Sequence, residues 1–156
     1  MKNKRKIIYW SLLIIWMIII CLMSSQPATI SDSQSIGVLN LFSKLGINMN
    51  SIFGNFANFV VRKCAHFIEY MILALLVFNV FNLYFSMKQV VIITITCVFL
   101  YACSDEIHQL FVPGREGAIR DVMIDTCGGI TLVLIKLLVT HLKSSALQNK
   151  DLAKLK

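Results

Sequence analysis

The sequence predicts an all-α integral membrane protein, a four-helix bundle with both termini in the cytoplasm. The chain has 156 residues, of which 57% are hydrophobic and 15% are charged, and its mean hydropathy is +0.74. Soluble proteins are usually about 25% charged. The apolar residues come in four long runs, as membrane-spanning helices require. Lys and Arg concentrate at both ends of the chain, and positive residues stay on the cytoplasmic side.

Within a single domain of residues 1–143, the four runs predict spans at about 7–23, 58–85, 89–111 and 119–142. The first run follows a basic segment, so a signal peptide is the alternative interpretation. Its length of about 17 residues exceeds the usual range of roughly 7–15, and no small-residue cleavage site follows, so we expect a retained span. The polar residues 144–156 are predicted to form a cytoplasmic tail that is mostly solvated or frayed.

The first loop, residues 24 to about 55, is predicted to lie outside the membrane. It begins with the turn-forming sequence Ser-Ser-Gln-Pro at residues 24–27. Apolar and polar residues are then interspersed between Ile36 and Leu45. This pattern indicates a short helix in the membrane interface, and disorder is the alternative.

Three polar clusters are predicted to meet at the outer ends of the spans. The second and fourth spans start outside and the third ends there, so their clusters share one side. The clusters are Arg62, Lys63, His66 and Glu69; Asp105, Glu106, His108 and Gln109; and Arg115, Glu116, Arg120, Asp121 and Asp125. A charge at a helix centre in hydrocarbon costs about 2.5–3.5 kcal/mol on insertion scales. We therefore expect these residues to pair, to face water or to serve a function.

Helical spacing places polar residues of a span on one stripe. In the second span, an i, i+4, i+7 pattern confines three side chains to an arc of about 60°: Arg62, His66 and Glu69. The fourth span repeats the pattern with Asp121, Asp125 and Gly128. Such stripes are expected to face one another or a water-filled cleft. Small residues such as Gly128 and Gly129 would allow close helix approach.

The basic residues predict an anion site. The second and fourth helices both begin at the outer surface, and helix N-termini bind anions. The candidate ligand-binding residues are Arg62, Lys63, Gln109, Arg115, Arg120 and Asp125. An anionic lipid headgroup or a lipid-linked envelope intermediate would suit such a site. Ordinary anchoring of Arg and Lys in the interface is the alternative.

Acidic residues outnumber basic residues in the clusters, so ion pairing within the clusters would leave some carboxylates without a basic partner. Conceivable ion pairs are Arg62 with Glu69 or Glu106, and Arg115 or Arg120 with Asp121 or Asp125. The candidate catalytic residues are Glu106, Asp105, His66, Glu69 and Asp121. Glu106, beside Asp105, is the predicted proton donor, His66 and Glu69 form a second relay or ligand pair, and Asp121 orients groups. The alternative is a network that only packs the helices.

No metal or other cofactor is assigned from the sequence, although two pairs place possible ligands on one helix face. These pairs are His66-x-x-Glu69 and Asp105-x-x-His108, and first-row metals accept imidazole and carboxylate ligands together. Because such spacing is common by chance, His66, Glu69 and His108 are metal candidates only. The five Cys residues lack CxxC spacing and are interpreted as packing residues. No basic face interleaved with aromatic residues indicates nucleic acid.

These motifs together resemble the VanZ-like family over roughly residues 7–140. Arg62-Lys63-x-x-His66-Phe67-x-Glu69-Tyr70 is similar to the motif of its second span. The family's third and fourth spans are similar to a second pattern in this chain. It reads Asp105-Glu106-x-His108-Gln109-x-Phe111-x-Pro113-Gly114-Arg115, followed by Asp121, Asp125 and Gly128. The Ser-Ser-Gln-Pro turn also matches. The chain departs from the pattern at Asp125, where many members carry Asn.

The resemblance implies a four-span protein of the bacterial cytoplasmic membrane, connected to the cell envelope and to teicoplanin susceptibility. It implies no particular reaction. We therefore expect a protein that binds an anionic lipid or lipid-linked envelope intermediate at its outer face. The alternatives are a hydrolase or transferase using Glu106 and His66, a structural or partner protein, and an ion or proton carrier. Apolar cytoplasmic halves of the spans argue against the carrier.

Overall fold

The structure is all-helical, with four segments long enough to span a membrane. The computed structural model describes residues 2–154. Its helices are α1 (Lys2–Ser24), α2 (Ala28–Lys44), α3 (Met49–Phe53), α4 (Ala57–Phe81), α5 (Met87–Gln109) and α6 (Ile119–Lys154), with a 3-10 turn at Gly54–Phe56. The segments that are long and apolar enough to cross a membrane are Asn3–Ser24, Met49–Phe81, Met87–Gln109 and Ile119–Ala146. The predicted all-α four-span bundle is confirmed.

Helix α4 ends earlier than the predicted second span, at Phe81 rather than residue 85. The reason lies in a capping box at the start of α5. The Ser86 backbone N–H donates to Gln89 Oε1 at 3.1 Å, and the Ser86 side chain accepts from the backbone of Gln89 in return. A capping box fixes where a helix starts. Residues 82–86 therefore form a turn although several of them are apolar.

Helix α6 continues beyond its predicted end at residue 142 and reaches Lys154. The segment after Gly129 contains neither Gly nor Pro, so nothing in it stops the helix. The predicted tail is thus helical rather than frayed as far as Lys154.

The first loop contains α2, so residues 28–44 form a helix, as predicted, rather than the disordered segment of the alternative. Helix α2 buries Ser31, Ser35 and Leu39, and Leu39 packs against the start of α4. The Ala28 backbone N–H also donates to the Pro113 carbonyl oxygen at 3.3 Å. The first loop is thereby attached both to α4 and to the loop between α5 and α6.

Helix α4 lies at the centre of the bundle and contacts α1, α2, α5 and α6. Two glycines allow α6 to approach its neighbours closely, as the sequence indicated. A Cβ at Gly128 would overlap the Phe67 carbonyl oxygen of α4, and a Cβ at Gly129 would lie 2.8 Å from Val98 Cγ1 of α5. Small residues at such contacts are typical of membrane helix packing.

Candidate functional site

The three predicted polar clusters lie together at one end of the bundle, which we call the site end. It comprises the C-terminal ends of α1 and α5, the N-terminal ends of α4 and α6, and α2. An ion pair of 2.5 Å between Lys63 Nζ and Asp121 Oδ2 connects α4 to α6. A second pair of 2.7 Å, between Arg62 and Asp32, connects α4 to α2.

A cavity of about 200 Å³ at the site end is lined by four basic side chains. We call it the basic cavity; the four are Arg62, Lys63, Arg115 and Arg120. Gln109 also lines it, and its only acidic lining residues among those described are Glu116 and Asp121. The lining is therefore net positive, and every predicted anion ligand except Asp125 faces one space.

The loop between α5 and α6 sets the position of Arg115. Gly114 has φ +73°, a left-handed conformation that favours glycine. A Cβ there would also lie 3.2 Å from the Ala28 Cβ, so glycine lets the loop dock closely on α2. Arg115 Nε then donates to the Gln26 carbonyl oxygen at 3.2 Å. This contact fixes the guanidinium group at its Nε atom and leaves the terminal N–H groups free for a ligand.

Arg115 carries a positive charge that no carboxylate of the chain's described part pairs with. Burial lowers the pKa of the Arg115 guanidinium, and the neighbouring Arg62 lowers it further. Arginine nevertheless stays protonated in proteins. A half-buried cation beside another cation is stabilised by an anion, and the basic cavity is the space in which one would bind.

The ion pairs at the site end differ from most of those conceived from sequence. Arg62 pairs with Asp32 rather than with Glu69 or Glu106. Arg120 does approach Asp121, with Nε 3.6 Å from Oδ1, but Asp121 makes its shorter contact with Lys63. The reason is that α2 folds back against α4 and supplies an acid from outside the three clusters.

A second cavity, of about 160 Å³, lies between α2 and α4. Arg62 and Arg115 line both cavities, so they stand on the boundary between them. Its other walls include His66 and Glu69 and several apolar or small side chains: Met23, Val38, Val61 and Ala65. His66 Nδ1 lies 3.8 Å from Glu69 Oε2, which is too long for a hydrogen bond. The predicted His66–Glu69 pair thus faces a partly apolar space next to two arginines.

His66, Asp105 and Asp125 form a buried group that we call the acid cluster. One donor atom from each residue lies within 4.8 Å of those of the other two. Asp105 Oδ2 accepts a hydrogen bond from Gln109 Nε2 at 3.1 Å. The hydroxyls of Ser24 and Tyr70 lie near the Asp105 carboxyl but outside hydrogen-bonding geometry. Residues predicted as catalytic and as ligand-binding therefore meet inside the bundle.

Glu106 has a different environment from the other candidate acids. Its Oε2 accepts the Ala118 backbone N–H at 2.8 Å, which satisfies an amide at the start of α6. Glu106 lines neither cavity that contains Arg115. It borders a shallow groove on another side, with Leu110 and Ile119. Its predicted role in proton transfer stays a prediction, while its observed contact is that of a helix cap.

The three metal candidates named from sequence do not come together as one set. His108 is exposed, and its Nε2 lies 3.0 Å from Ser25 Oγ. His66 instead joins Asp105 and Asp125. Side chains on three different helices make this grouping, and helix rotation decides it rather than spacing within one helix.

Sequence reasoning missed two contributors to the site, Asp32 and Gln26. Asp32 is the only acidic residue between Ser24 and Asn55, and a lone acid in a helix whose one other charge is the terminal Lys44 was a usable signal. Gln26 acts through its backbone carbonyl, so no side-chain pattern could have identified it.

The family model described as VanZ/LLP1 matches residues 9–140. This chain belongs to the VanZ/LLP1 family. The matched range contains both cavities' basic residues and the whole acid cluster of this VanZ/LLP1 protein. No curated protein and no solved structure matches the chain.

Proposed function

We propose that this VanZ/LLP1 protein binds an anionic lipid, or a lipid-linked envelope intermediate, through its phosphate in the basic cavity. The observation that carries the proposal is Arg115. Its guanidinium is half-buried, is held by the Gln26 carbonyl and forms no ion pair with any side chain that the structure describes. Arg side chains bind phosphate with paired hydrogen bonds that are stronger than neutral ones.

The pair of cavities favours a lipid over a soluble anion. Arg62 and Arg115 border a polar space on one side and a partly apolar space on the other. A lipid phosphate between these arginines would direct its polar headgroup into the basic cavity. Its apolar chain would follow Val38, Val61 and Met23 in the second cavity. A free phosphate would use only the first half of this arrangement.

The distribution of charge supports placing the site end at the outer face of a bacterial cytoplasmic membrane. Nine of the fifteen Lys and Arg residues belong to the opposite end: the first residues of α1, the start of α5 and the last part of α6. Positive residues are retained in the cytoplasm. Labelling with an impermeant thiol reagent in a cysteine-free background would modify Ser33→Cys but not Asn82→Cys. The reverse pattern would contradict the outer-face placement.

Lipid binding can be tested on the purified full-length protein by native mass spectrometry. We would compare retention of phosphatidylglycerol, a polyisoprenyl phosphate and phosphatidylcholine, with inorganic phosphate as competitor. Removing an Arg–phosphate contact costs about 1.5–3 kcal/mol, or roughly a 10- to 100-fold loss of affinity. Arg115→Gln is therefore expected to weaken the binding of anionic lipids by that factor. Lys44→Gln removes an exposed charge outside both cavities and serves as the matched control.

Two results would count against lipid recognition at this site. Equal retention of phosphatidylcholine and phosphatidylglycerol would show that the net negative charge of the lipid is not recognised, because both lipids carry an anionic phosphodiester. Unchanged affinity in Arg115→Gln would show that anionic lipid binds elsewhere. If inorganic phosphate competes at the same concentration as the lipids, the anion site stands and the apolar part of the proposal fails.

The proposed link to teicoplanin susceptibility is tested separately, in cells. A strain lacking the gene would receive the wild type, Arg115→Gln or Lys44→Gln at matched membrane levels. Protection by the wild type and by Lys44→Gln, together with loss in Arg115→Gln, is expected. No protection by the wild type would remove the resistance link for this member and leave the lipid-binding proposal to the mass spectrometry.

A hydrolase or transferase is the second candidate, because one observation favours it. His66 and Glu69 line the second cavity next to Arg115, where they would adjoin a bound phosphate. A histidine there is placed to act as a general acid or base. Conversion of a bound polyisoprenyl pyrophosphate by the wild type, and its loss in His66→Gln with lipid binding intact, would favour an enzyme.

A further inference from the structure

The acid cluster lies deeper in the bundle than the basic cavity and has a separate property. Asp105 on α5 and Asp125 on α6 are both buried, with exposed fractions of 5% and 1%. The His66 ring of α4 completes the cluster, with one donor atom of each residue within 4.8 Å of the others. Three helices thus direct one imidazole and two carboxyl groups to a single point.

Asp125 lacks a partner that its burial requires. Neither of its carboxylate oxygens forms a hydrogen bond within the described part of the chain, and both are fully enclosed. His66 Nδ1 is likewise enclosed without a hydrogen bond. Buried polar groups in folded proteins are nearly always satisfied, and a buried carboxylate needs a cation, a proton or a metal. These atoms therefore point to a species that binds between them.

The cations of the protein that lie nearest are already engaged elsewhere. Lys63 contacts Asp121 at 2.5 Å, and Arg62 contacts Asp32 at 2.7 Å. Arg115 lines the two cavities and is held there by Gln26. Among the Lys and Arg side chains that the structure describes, none forms an ion pair with Asp105 or Asp125.

The geometry points to a bound metal ion, and we propose that His66, Asp105 and Asp125 bind one divalent first-row cation of the Zn²⁺ or Mn²⁺ type. Imidazole with carboxylates is a ligand set that such metals accept. Donors about 2.0–2.2 Å from an ion lie at most about 4.4 Å apart, so the cluster needs only a small contraction to enclose one.

The surroundings of the cluster provide the supporting contacts and the access that a metal site requires. Gln109 holds the Asp105 carboxylate by a hydrogen bond of 3.1 Å. Such outer contacts fix metal ligands in position. Glu69 lies near the ring, 3.8 Å from His66 Nδ1, and makes no hydrogen bond to that atom. His66 also lines the second cavity, which gives an ion a route from the surface to the buried carboxylates.

The test uses the full-length protein in detergent, stripped with chelator and then dialysed against Zn²⁺, Mn²⁺ or Mg²⁺. The wild type is expected to retain about one equivalent of Zn²⁺ or Mn²⁺ by elemental analysis, and less Mg²⁺ because imidazole suits Mg²⁺ poorly. Metal at 100-fold excess over Kd should raise the unfolding temperature by roughly 5–10 °C. Asp125→Asn and His66→Gln should each lower the affinity at least tenfold.

Two control variants keep the outcome interpretable. His108→Gln and His141→Gln each remove an exposed histidine outside the cluster, so both should bind metal as the wild type does. Asp125→Asn should also stabilise the metal-free protein, because it removes a buried charge. Loss of metal binding together with a raised unfolding temperature would therefore not be caused by misfolding. No retained metal and no thermal shift in the wild type would overturn the proposal in favour of a shared proton. Equal loss in the controls would also overturn it.

Discussion

At the site end, α5 and α6 bury Asp105, Glu106, Gln109 and Asp125, whereas toward the opposite end the same bundle buries Val77, Val80, Val90 and Val133. The side chains of the apolar half need only complementary shapes, because lipid tails and neighbouring helices are equally suitable apolar surroundings. The polar half needs specific partners, and several of its atoms lack them. Such groups are costly to bury in a membrane protein, and they lie on the side where we propose that binding takes place.

The same comparison weakens the ion-carrier alternative. A carrier requires polar groups along the whole path through the membrane. Among the buried side chains that the structure describes, polar groups lie at the site end, apart from Thr94 on α5. Toward the opposite end, Trp10 packs edge-on against Phe81 with ring centroids 6.0 Å apart, and both rings border a mostly apolar cavity of about 400 Å³.

The largest expected effect comes from moving an acid into the apolar half. Val77→Asp nearly preserves size and should cost about 2.5–3.5 kcal/mol on insertion scales, because Val77 belongs to the apolar core. Asp125→Asn, which removes an acid from the polar half, should be neutral or stabilising without metal. Membrane abundance and thermal unfolding in detergent would measure both. Val77→Thr is the control, since its hydroxyl can bond to its own helix. If Val77→Asp is tolerated, the two halves do not differ as described.

A smaller effect should follow from filling the contact between α4 and α6 below the site. A Cβ at Gly128 would overlap the Phe67 carbonyl oxygen, so Gly128→Ala should destabilise the bundle by about 1–3 kcal/mol. Gly37 lies within α2 with nothing within 4 Å of an added Cβ. Gly37→Ala should therefore stabilise by up to about 1 kcal/mol through helix propensity. Equal unfolding temperatures for the two variants would mean that Gly128 does not set the helix spacing.

The four spans and the meeting of the polar clusters could be predicted from the sequence. Run lengths give the spans, and alternating direction brings the ends of spans two, three and four together without any tertiary detail. Gly128 and Gly129 were likewise identified as points of close approach because they follow the stripe of Asp121 and Asp125. These features depend on periodicity, which one sequence reveals.

Partner identity could not be predicted, because it depends on helix rotation and on backbone atoms. Arg62 meets Asp32 only because α2 folds back on α4. Arg115 is held by a backbone carbonyl group, and Glu106 accepts a backbone N–H. The pattern of side chains in the sequence therefore predicts neither contact. The predicted ends of the second and fourth spans differ from the observed ends of α4 and α6 for local reasons. For α4 the reason is the capping box that starts α5, and for α6 it is the lack of a helix-stopping residue.

The smallest expected effect separates the two roles of Glu106 at the boundary between the halves. As a cap of α6, Glu106→Gln keeps an oxygen that accepts the Ala118 N–H, and the unfolding free energy should fall by less than about 0.5 kcal/mol. Glu106→Ala loses that acceptor and should cost about 0.5–2 kcal/mol, as cap removal does. As a proton donor, Glu106 would be inactivated equally by both changes. Stability and teicoplanin protection should therefore be measured on both variants together. Protection that follows stability identifies a cap, whereas protection lost in Glu106→Gln at unchanged stability identifies an acid.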